Sequence, residues 1–162
     1  MIDEIDRQLL NFLQADARIS NAELARRVGM APSGVLERVK KLEERGLIRG
    51  FEARLDARKL GSGLVAFAFV KSDDRVGGIE SAQALAAIPE VQEVHHIAGE
   101  DCYLIKIRVS DVEALGRLLR EKVGVIPTIR STRTTIVMET LKETATVQIP
   151  GSGSPEGGSD AV

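Results

Sequence analysis

The sequence has no tryptophan, one tyrosine and four phenylalanines among its 162 residues. This scarcity argues against a stacking platform for single-stranded nucleic acid, which needs several exposed rings, and it predicts an aliphatic core. Cys102 is the single cysteine, so an intrachain disulfide is excluded and a reducing, cytoplasmic setting is expected. No apolar run approaches the ~18 residues of a membrane span. No charged-then-apolar leader is found, so we expect neither export nor a membrane partner.

The formal net charge of −2 argues against a protein coated in positive charge. The field at a surface follows the local arrangement of charges, however, and one segment is locally basic. Between residues 26 and 49 only Glu37, Glu43 and Glu44 are acidic. The basic residues of that segment are Arg26, Arg27, Arg38, Lys40, Lys41, Arg45 and Arg49.

Two short helices are predicted at the start of the chain. Asp3 can cap the first, and Ser20 with Glu23 forms a capping-box pair ahead of the second, over residues 21–28. Gly29 suits the left-handed position that ends a helix. The buried stripe of the first helix is predicted to contain Ile5, Leu9, Phe12 and Leu13.

A third helix is predicted from Pro32, whose missing N–H costs nothing in a first turn, to Gly46. Val35, Val39 and Leu42 form its buried stripe. The far side holds Ser33, Glu37, Lys40, Lys41 and Glu44. Two helices joined by a glycine turn, the second of them basic, are typical of a helix-turn-helix, which places one helix in the major groove of DNA. Residues 47–55 alternate loosely and predict a short extended arm.

The periodicity changes after residue 62. Strands are predicted at residues 64–70, 91–98, 102–109 and 128–141, with helices at residues 79–88 and 112–123. In the third strand one face holds Tyr103, Ile105, Ile107 and Val109, and the other holds Lys106 and Arg108. The order β-α-β-β-α-β is the ferredoxin-like, split βαβ pattern.

We therefore predict an α+β protein in which a three-helix, winged helix-turn-helix precedes a ferredoxin-like βαββαβ domain. The predicted boundaries are 1–50 for the DNA-binding domain, 51–62 for a linker arm and 63–145 for the βαββαβ domain, to which the family resemblance described next assigns effector binding and oligomerisation. Residues 146–162 lack the apolar content to fold and are predicted to form a flexible tail.

Several segments, in this order and spacing, resemble the Lrp/AsnC (leucine-responsive/asparagine, feast/famine) family of transcriptional regulators. The matching segments are IDEIDRQLLNFLQADARIS, ELARRVGMAPSGVLERVKKLEERGLIRGF, LDARKLG, IPEV, HHIAGEDCYLIKIRV and STRTTIVMETLKE. The resemblance implies a sequence-specific regulator of double-stranded DNA, not an enzyme, that acts in the cytoplasm on the nucleoid. It also implies dimers that build larger, even octameric, rings and bind a small amino acid between C-terminal domains, with no other cofactor.

Two positions depart from the family pattern. Ala31 stands where the family usually has a capping Ser, a loss of about 1 kcal/mol unless Ser33 or a neighbour compensates. Cys102 stands where many members have Asp, which bears on the identity of the effector.

The candidate DNA-binding residues are Arg26, Arg27, Ser33, Gly34, Glu37, Arg38, Lys40 and Lys41. Ser33 at a helix N-terminus can hold a phosphate, Lys41 can reach a phosphate or a guanine, and Glu37 can accept from cytosine. The alternative is a solvated helix face with a Glu37–Lys41 pair. Arg38 lies at the flank of the helix and is expected either to brace the helices or to touch DNA. Arg26 and Arg27 can interact favourably with the negative end of the helix dipole and contact phosphate at the same time.

The candidate effector-binding residues are Gly99, Glu100, Asp101, Thr132, Arg133 and Thr134. The turn carboxylates could pair with the ammonium group of an amino acid, and the strand could offer its hydroxyls and a guanidinium to the carboxylate. The alternative is a plain hairpin turn beside a strand rich in β-formers.

Two other functions remain open. One is an architectural DNA-binding protein that needs no effector. The other is a small enzyme or metal sensor, for which the sequence offers only His95, His96, Cys102 and Glu100. Because adjacent histidines in a strand point to opposite faces, we expect one packed and one exposed imidazole, and no metal site. We find no phosphate loop, catalytic carboxylate pair or nucleophile elbow, and no catalytic residue is assigned.

Overall fold

A computed structural model describes residues 2–75 and 78–151. The chain forms two compact units. The first contains the chain up to Arg54 together with the segment that begins at Glu143, and the second runs from Leu55 to Lys142. The part of the predicted tail from residue 152 onward lies outside the described residues.

The first unit contains the three expected helices, which are α1 (Glu4–Ala15), α2 (Asn21–Val28) and α3 (Pro32–Glu44). They enclose a small aliphatic core of Leu9, Leu24, Ala25, Val35 and Val39. Gly29 adopts the predicted left-handed conformation, with φ of 67°, and so separates α2 from α3. Residues 47–55, predicted as an extended arm, contain neither helix nor strand.

The helix caps differ from the prediction in one respect. The Ser20 hydroxyl accepts from the Glu23 N–H at 3.2 Å, but the Glu23 carboxylate binds Arg26 and Arg27 instead of returning to Ser20. The reciprocal capping box is found at α1, where Asp3 accepts from Asp6 N–H at 2.8 Å and Asp6 accepts from Asp3 N–H at 3.2 Å. The predicted box at Ser20 is therefore only half formed, since two guanidiniums compete for its carboxylate.

Part of the predicted flexible tail contacts α1. The Gln14 amide donates to the Val147 carbonyl at 3.1 Å and accepts from the Val147 N–H at 2.7 Å. Arg7 Nε donates to the Pro150 carbonyl at 3.0 Å. A side-chain amide has both an NH2 donor group and a carbonyl acceptor, so it can pair with an extended backbone as a neighbouring strand would. These contacts hold residues 147–150 against the first helix.

The second unit has the expected βαββαβ order. Its sheet is antiparallel throughout, with the strand order β2-β3-β1-β4 of the ferredoxin-like pattern. The elements are β1 (Leu64–Ser72), α4 (Glu80–Ala86), β2 (Val91–His96), β3 (Tyr103–Val109), α5 (Val112–Leu118) and β4 (Ile129–Ile136).

One face of this sheet is covered by the helices. Ala68 and Ile105 of the central strands are fully buried there against Leu85 of α4 and Leu115 of α5. Strict alternation on β3 places Leu104, Lys106 and Arg108 on the opposite face, as predicted. We call that opposite side, with Phe67, Phe69, Leu104 and Lys106, the open face.

Four elements end earlier than their sequence patterns predict. The β2 strand stops at His96 rather than at residue 98, and α4 stops at Ala86 rather than at residue 88. The β4 strand stops at Ile136 rather than at residue 141, because its partner β1 begins at Leu64 and the last bond runs from Val137 N–H to Val65. The helix predicted over residues 112–123 changes to a π-helical turn at Leu119–Val123. No helix in the described ranges is both long and apolar enough to cross a bilayer.

Substitutions at the N-caps of α3 and α2 should change the stability of the protein in opposite directions. Ala31 has capping geometry, with φ −71° and ψ 144°, but no side-chain hydrogen bond, whereas Ser20 is a working cap. Ala31→Ser should therefore stabilise the protein by about 1 kcal/mol, and Ser20→Ala should destabilise it by a similar amount. Urea unfolding measures both. A neutral Ala31→Ser variant would mean that backbone or solvent already satisfies the first turn of α3.

Candidate functional site

The outer face of α3, defined here as Ser33, Glu37, Lys40 and Lys41, is exposed. The side chains of Lys40 and Lys41 are 72% and 62% accessible. The opposite side of the helix is fixed in the core through Val35, Val39 and Leu42. The structure therefore places these predicted DNA-binding residues on one accessible surface.

The lysines of this face pair with carboxylates of the same helix. Lys41 Nζ lies 2.7 Å from Glu37 and lowers the pKa of that carboxyl, while Lys40 Nζ lies 3.8 Å from Glu44. Exposed pairs of this kind contribute little to stability. A phosphate could therefore replace either carboxylate at small cost, so the intrahelical pairs do not prevent DNA contact.

At the end of α2, Arg26 and Arg27 share one carboxylate. Arg26 donates to both Glu23 oxygens at 2.8 and 2.7 Å, and Arg27 donates to Oε1 at 2.7 Å. Hydrogen bonds from Arg26 and then Arg27 lower the pKa of Glu23 to about 2. The Arg27 guanidinium also lies 5.1 Å from the centre of the Phe12 ring. Two cations on one anion leave this corner of the first unit positive.

Arg38 faces α1 rather than the outer face. Its Nη1 lies 2.7 Å from Asp3 and 2.8 Å from Asp6, and the side chain is only 30% accessible. The Asp6 N–H and then Arg38 hold the pKa of Asp3 below its ordinary value. Arg38 was expected either to brace the helices or to contact DNA, and these ion pairs support the bracing role.

Gly34, one of the predicted DNA-binding residues, also leaves space that packing within the first unit requires. A Cβ atom at this position would lie 3.1 Å from the Met30 methyl group. The missing side chain therefore makes room for Met30, which packs against the core of the first unit.

In the second unit the structure brings Asp101 and Arg133 together. Arg133 Nη2 donates to Asp101 Oδ2 at 3.0 Å, and its guanidinium lies 4.5 Å from the centre of the Phe69 ring. Arg133 is 71% accessible. The loop that contains Gly99, Glu100 and Asp101 thus meets β4 at the open face of the sheet.

The two threonines are separated from this pair. Thr132 and Thr134 are in register with Val70 and Ala68, so alternation along β4 places them on the face opposite Arg133. The Thr134 hydroxyl is buried without a hydrogen-bond partner. The predicted effector-binding residues therefore form two groups, and only one group combines a cation with an anion.

A polar network beneath the hairpin was not predicted from the sequence. Asp74 accepts from Tyr103 OH and from Ser81 Oγ, both at 2.8 Å, and Ser81 Oγ lies 2.6 Å from Thr128 Oγ1. Burial and the Asp74 carboxylate raise the pKa of Tyr103 to about 12. The network fixes the start of β3, two residues from Asp101. Its members are scattered along the sequence and form no spaced motif.

The residues considered for a metal site do not converge. His95 Nε2 lies 3.1 Å from Glu93, and the His96 ring lies 5.3 Å from that of Tyr103. Both histidines are exposed, so the expectation of one packed imidazole was wrong. Within residues 2–75 and 78–151, no three metal-binding side chains are grouped.

A cavity of about 320 Å³ lies elsewhere in the second unit. Its lining includes Glu90, Arg108, Arg117 and Lys122, with Lys122 Nζ 2.6 Å from Glu90. None of the predicted effector-binding residues lines this cavity. Four of those residues lie instead at the surface of the chain, namely Gly99, Glu100, Thr132 and Arg133.

The contacts of Arg38 predict that it stabilises the first unit, whereas Lys40 and Lys41 do not. Arg38→Ala should lower Tm because it leaves the nearly buried Asp6 without its cation. Lys40→Ala and Lys41→Ala should change stability by no more than about 0.5 kcal/mol.

The pH dependence of this effect has a definite sign. Because the pKa of Asp3 is lowered on folding, its contribution is present above the ordinary value of 3.8 and is lost as the pH falls below it. The Tm gap between wild type and Arg38→Ala should therefore narrow below pH 3.8. Calorimetric melts of both proteins, at intervals of about half a pH unit between about pH 2 and 7, would measure this difference in Tm. An equal Tm for wild type and Arg38→Ala would contradict the bracing role.

Comparison with known proteins agrees with this architecture in both units. The family model described as Lrp/AsnC ligand binding domain matches residues 65–147, and that described as winged helix-turn-helix DNA-binding matches residues 2–49. The chain is 40% identical over 144 residues to the leucine-responsive regulatory protein of Klebsiella pneumoniae, with 88% of each chain covered.

Two solved structures of regulators superpose on nearly the whole chain. A transcriptional regulator of Neisseria meningitidis, in complex with L-methionine, has a TM-score of 0.85 at 27% identity and covers 91% of this chain and 97% of its own. A feast or famine regulatory protein of M. tuberculosis, complexed with L-methionine, has a TM-score of 0.84 at 34% identity and covers 91% and 99%. Together with the matched family models, these relatives show that the chain belongs to the Lrp/AsnC family of DNA-binding transcriptional regulators.

Proposed function

We propose that the chain binds specific sequences of double-stranded DNA by placing the outer face of α3 in the major groove. The observation that supports this most directly is the exposed pair Lys40 and Lys41 on a helix whose opposite side is fixed in the core. A 13-residue helix of this kind fits the major groove. The site of action would be the nucleoid in the cytoplasm.

The N-terminus of α3 offers a second contact. Ala31 provides no side-chain cap, and Ser33 is exposed beside it. The first backbone N–H groups of a helix have no intrahelical partner, and together with the helix dipole they favour an anion. A DNA phosphate would supply the missing acceptor, and the Ser33 hydroxyl could donate to the same group.

We further propose that copies of the chain associate through the second unit. At the end of β4 and just beyond it, Ile136, Met138 and Leu141 are exposed, Met138 to 94%. Several large apolar side chains exposed so close together in the sequence favour an interaction site. A two-fold dimer would present two α3 helices to half-sites ~34 Å apart, or a multiple of that spacing. Association of such dimers into octameric rings is part of the same proposal.

We propose that an amino acid binds at the open face, where Arg133 would hold its carboxylate. Asp101, and Glu100 in the same loop, would pair with the ammonium group. The site lies at the surface and is incomplete in one chain, which fits a ligand enclosed between copies. The L-methionine complexes of two relatives make that amino acid the first to test.

The DNA contact predicts a steep dependence of affinity on salt. The logarithm of the association constant should fall with the logarithm of salt concentration, with a slope of about −0.9 per phosphate neutralised. Lys40→Ala with Lys41→Ala should weaken binding and reduce that slope by about two. Fluorescence anisotropy with a labelled duplex at several salt concentrations would measure both quantities.

Lys59→Ala is the matched control for that experiment. Lys59 is as exposed as the two lysines of α3 and pairs with an Asp three residues away, but it lies in the second unit. It should leave the slope unchanged. An unaltered slope in the double variant would remove Lys40 and Lys41 from the DNA interface.

The effector proposal predicts that an amino acid raises Tm. At a concentration a hundred times its Kd, a ligand that binds only the folded state stabilises it by about 2.7 kcal/mol. A thermal-shift screen of the twenty amino acids, with sedimentation of the same samples, would measure ligand choice and assembly together.

Alanine variants of two arginines in β4 distinguish a specific effector site from a general effect of removing positive charge. Arg133→Ala should abolish the shift, whereas Arg130→Ala should retain it, because Arg130 pairs with Asp73 and not with Asp101. If no amino acid shifts Tm, the chain acts as an architectural DNA-binding protein without an effector. The Cys102 thiol favours that alternative, because it stands where many relatives have Asp and is engaged with the Ser72 backbone at 3.4 Å.

A further inference from the structure

A large apolar side chain is exposed in the middle of α3. Leu36 is 56% accessible. Its neighbour Val35 is fully buried, so the helix does not need Leu36 for its own core. On a helix face that is otherwise polar, an exposed leucine has no packing role within the first unit.

The position of Leu36 around the helix follows from Arg38. Each residue turns an α-helix by about 100°, so Leu36 and Arg38 lie about 200° apart, on nearly opposite sides of α3. Arg38 is tied to Asp3 and Asp6 of α1. Leu36 therefore points away from α1, toward solvent.

Two polar residues share that side of the helix. Ser33 precedes Leu36 by three residues and Lys40 follows it by four, and these spacings place side chains on one face. Both are exposed. Leu36 is thus an apolar side chain between a hydroxyl near the helix N-terminus and a lysine one turn further on.

The charges around Leu36 indicate which kind of partner it meets. Lys40 and Lys41 are both highly accessible, and their exposed pairs with Glu44 and Glu37 are readily exchanged for the phosphates of a polyanion. Exchangeable cations beside Leu36 favour a nucleic acid over an apolar protein surface. In the major groove of DNA, the exposed apolar group is the C5 methyl of thymine, which apolar side chains contact.

We propose that Leu36 contacts the C5 methyl group of a thymine in each half-site and so determines specificity at that base pair. The inference depends on the proposed DNA-binding function and adds a base-reading contact to it. Ser33 and Lys40 would hold the backbone on either side, while Leu36 distinguishes thymine from bases without the methyl group.

The test compares thymine with uracil, which differs only by that methyl group. A preferred duplex is first selected from random sequence with the wild-type protein, and each thymine of its half-sites is replaced in turn by uracil. Kd is then measured at one salt concentration for wild type, Leu36→Ala and Lys40→Ala. Leu36 is exposed, so its alanine variant should fold, and a thermal melt checks this.

We expect wild type to lose about four-fold in affinity at one thymine position per half-site, the size of one methyl group removed from an apolar contact. Leu36→Ala should bind the thymine and uracil duplexes equally at that position. Lys40→Ala should bind both more weakly and keep the four-fold ratio.

Two results would overturn the inference. Wild type could bind every uracil duplex as tightly as the parent duplex, or Leu36→Ala could keep the wild-type ratio. If Leu36→Ala keeps that ratio and also changes the sedimentation of the free protein, Leu36 is a contact between copies. If selection finds no preferred duplex at all, sequence-specific binding itself fails, and this outcome is distinguishable because it appears before any uracil substitution.

Discussion

The arrangement of the DNA-binding unit depends on the contact of Arg38 with Asp3 and Asp6. The same two carboxylates form the capping box of α1, so one pair of side chains both starts the first helix and holds the third. Asp6 is nearly buried, and a buried carboxylate needs a cation and hydrogen bonds to be tolerated there. Together with the buried Val35, Val39 and Leu42, this contact sets which side of α3 faces inward and, by exclusion, which side faces solvent.

The ionic interactions of the first unit fall into two classes. The Arg38 pairs are partly buried and connect two helices, whereas the pairs of Lys40, Lys41 and Arg26 lie within single helices and are exposed. Exposed pairs are weak and are readily exchanged for another anion. The Arg38 pairs thus fix α3 against α1, while the lysines of the outer face of α3 remain able to bind another anion. A net charge of −2 for the whole chain is compatible with this, because the field at α3 is local.

In the second unit, the ferredoxin-like order brings residues distant in sequence to one place. Because β4 and β3 both pair with β1, the start of β3 lies near the middle of β4, and Asp101 meets Arg133. The hydrogen-bond network around Asp74 fixes the start of β3 through the Tyr103 hydroxyl. One face of the sheet is filled by α4 and α5, while the other presents Phe69 and Arg133. This topology therefore pairs the Arg133 guanidinium with the Asp101 carboxylate at an exposed face of the sheet.

The sequence by itself determined the three helices, their glycine turn and the βαββαβ order, because apolar periodicity and capping residues act over a few neighbouring positions. It also determined that Ala31 leaves α3 without a side-chain cap. Only the tertiary structure decided the partners of side chains. It turned Glu23 from its capping box to two arginines, assigned Arg38 to α1 and separated Thr132 and Thr134 from Arg133. It also ended β4 at Ile136 and placed Val147 against Gln14. The physical reason is that such contacts join positions up to 143 residues apart, and their energies depend on distance and burial, which local sequence patterns do not contain.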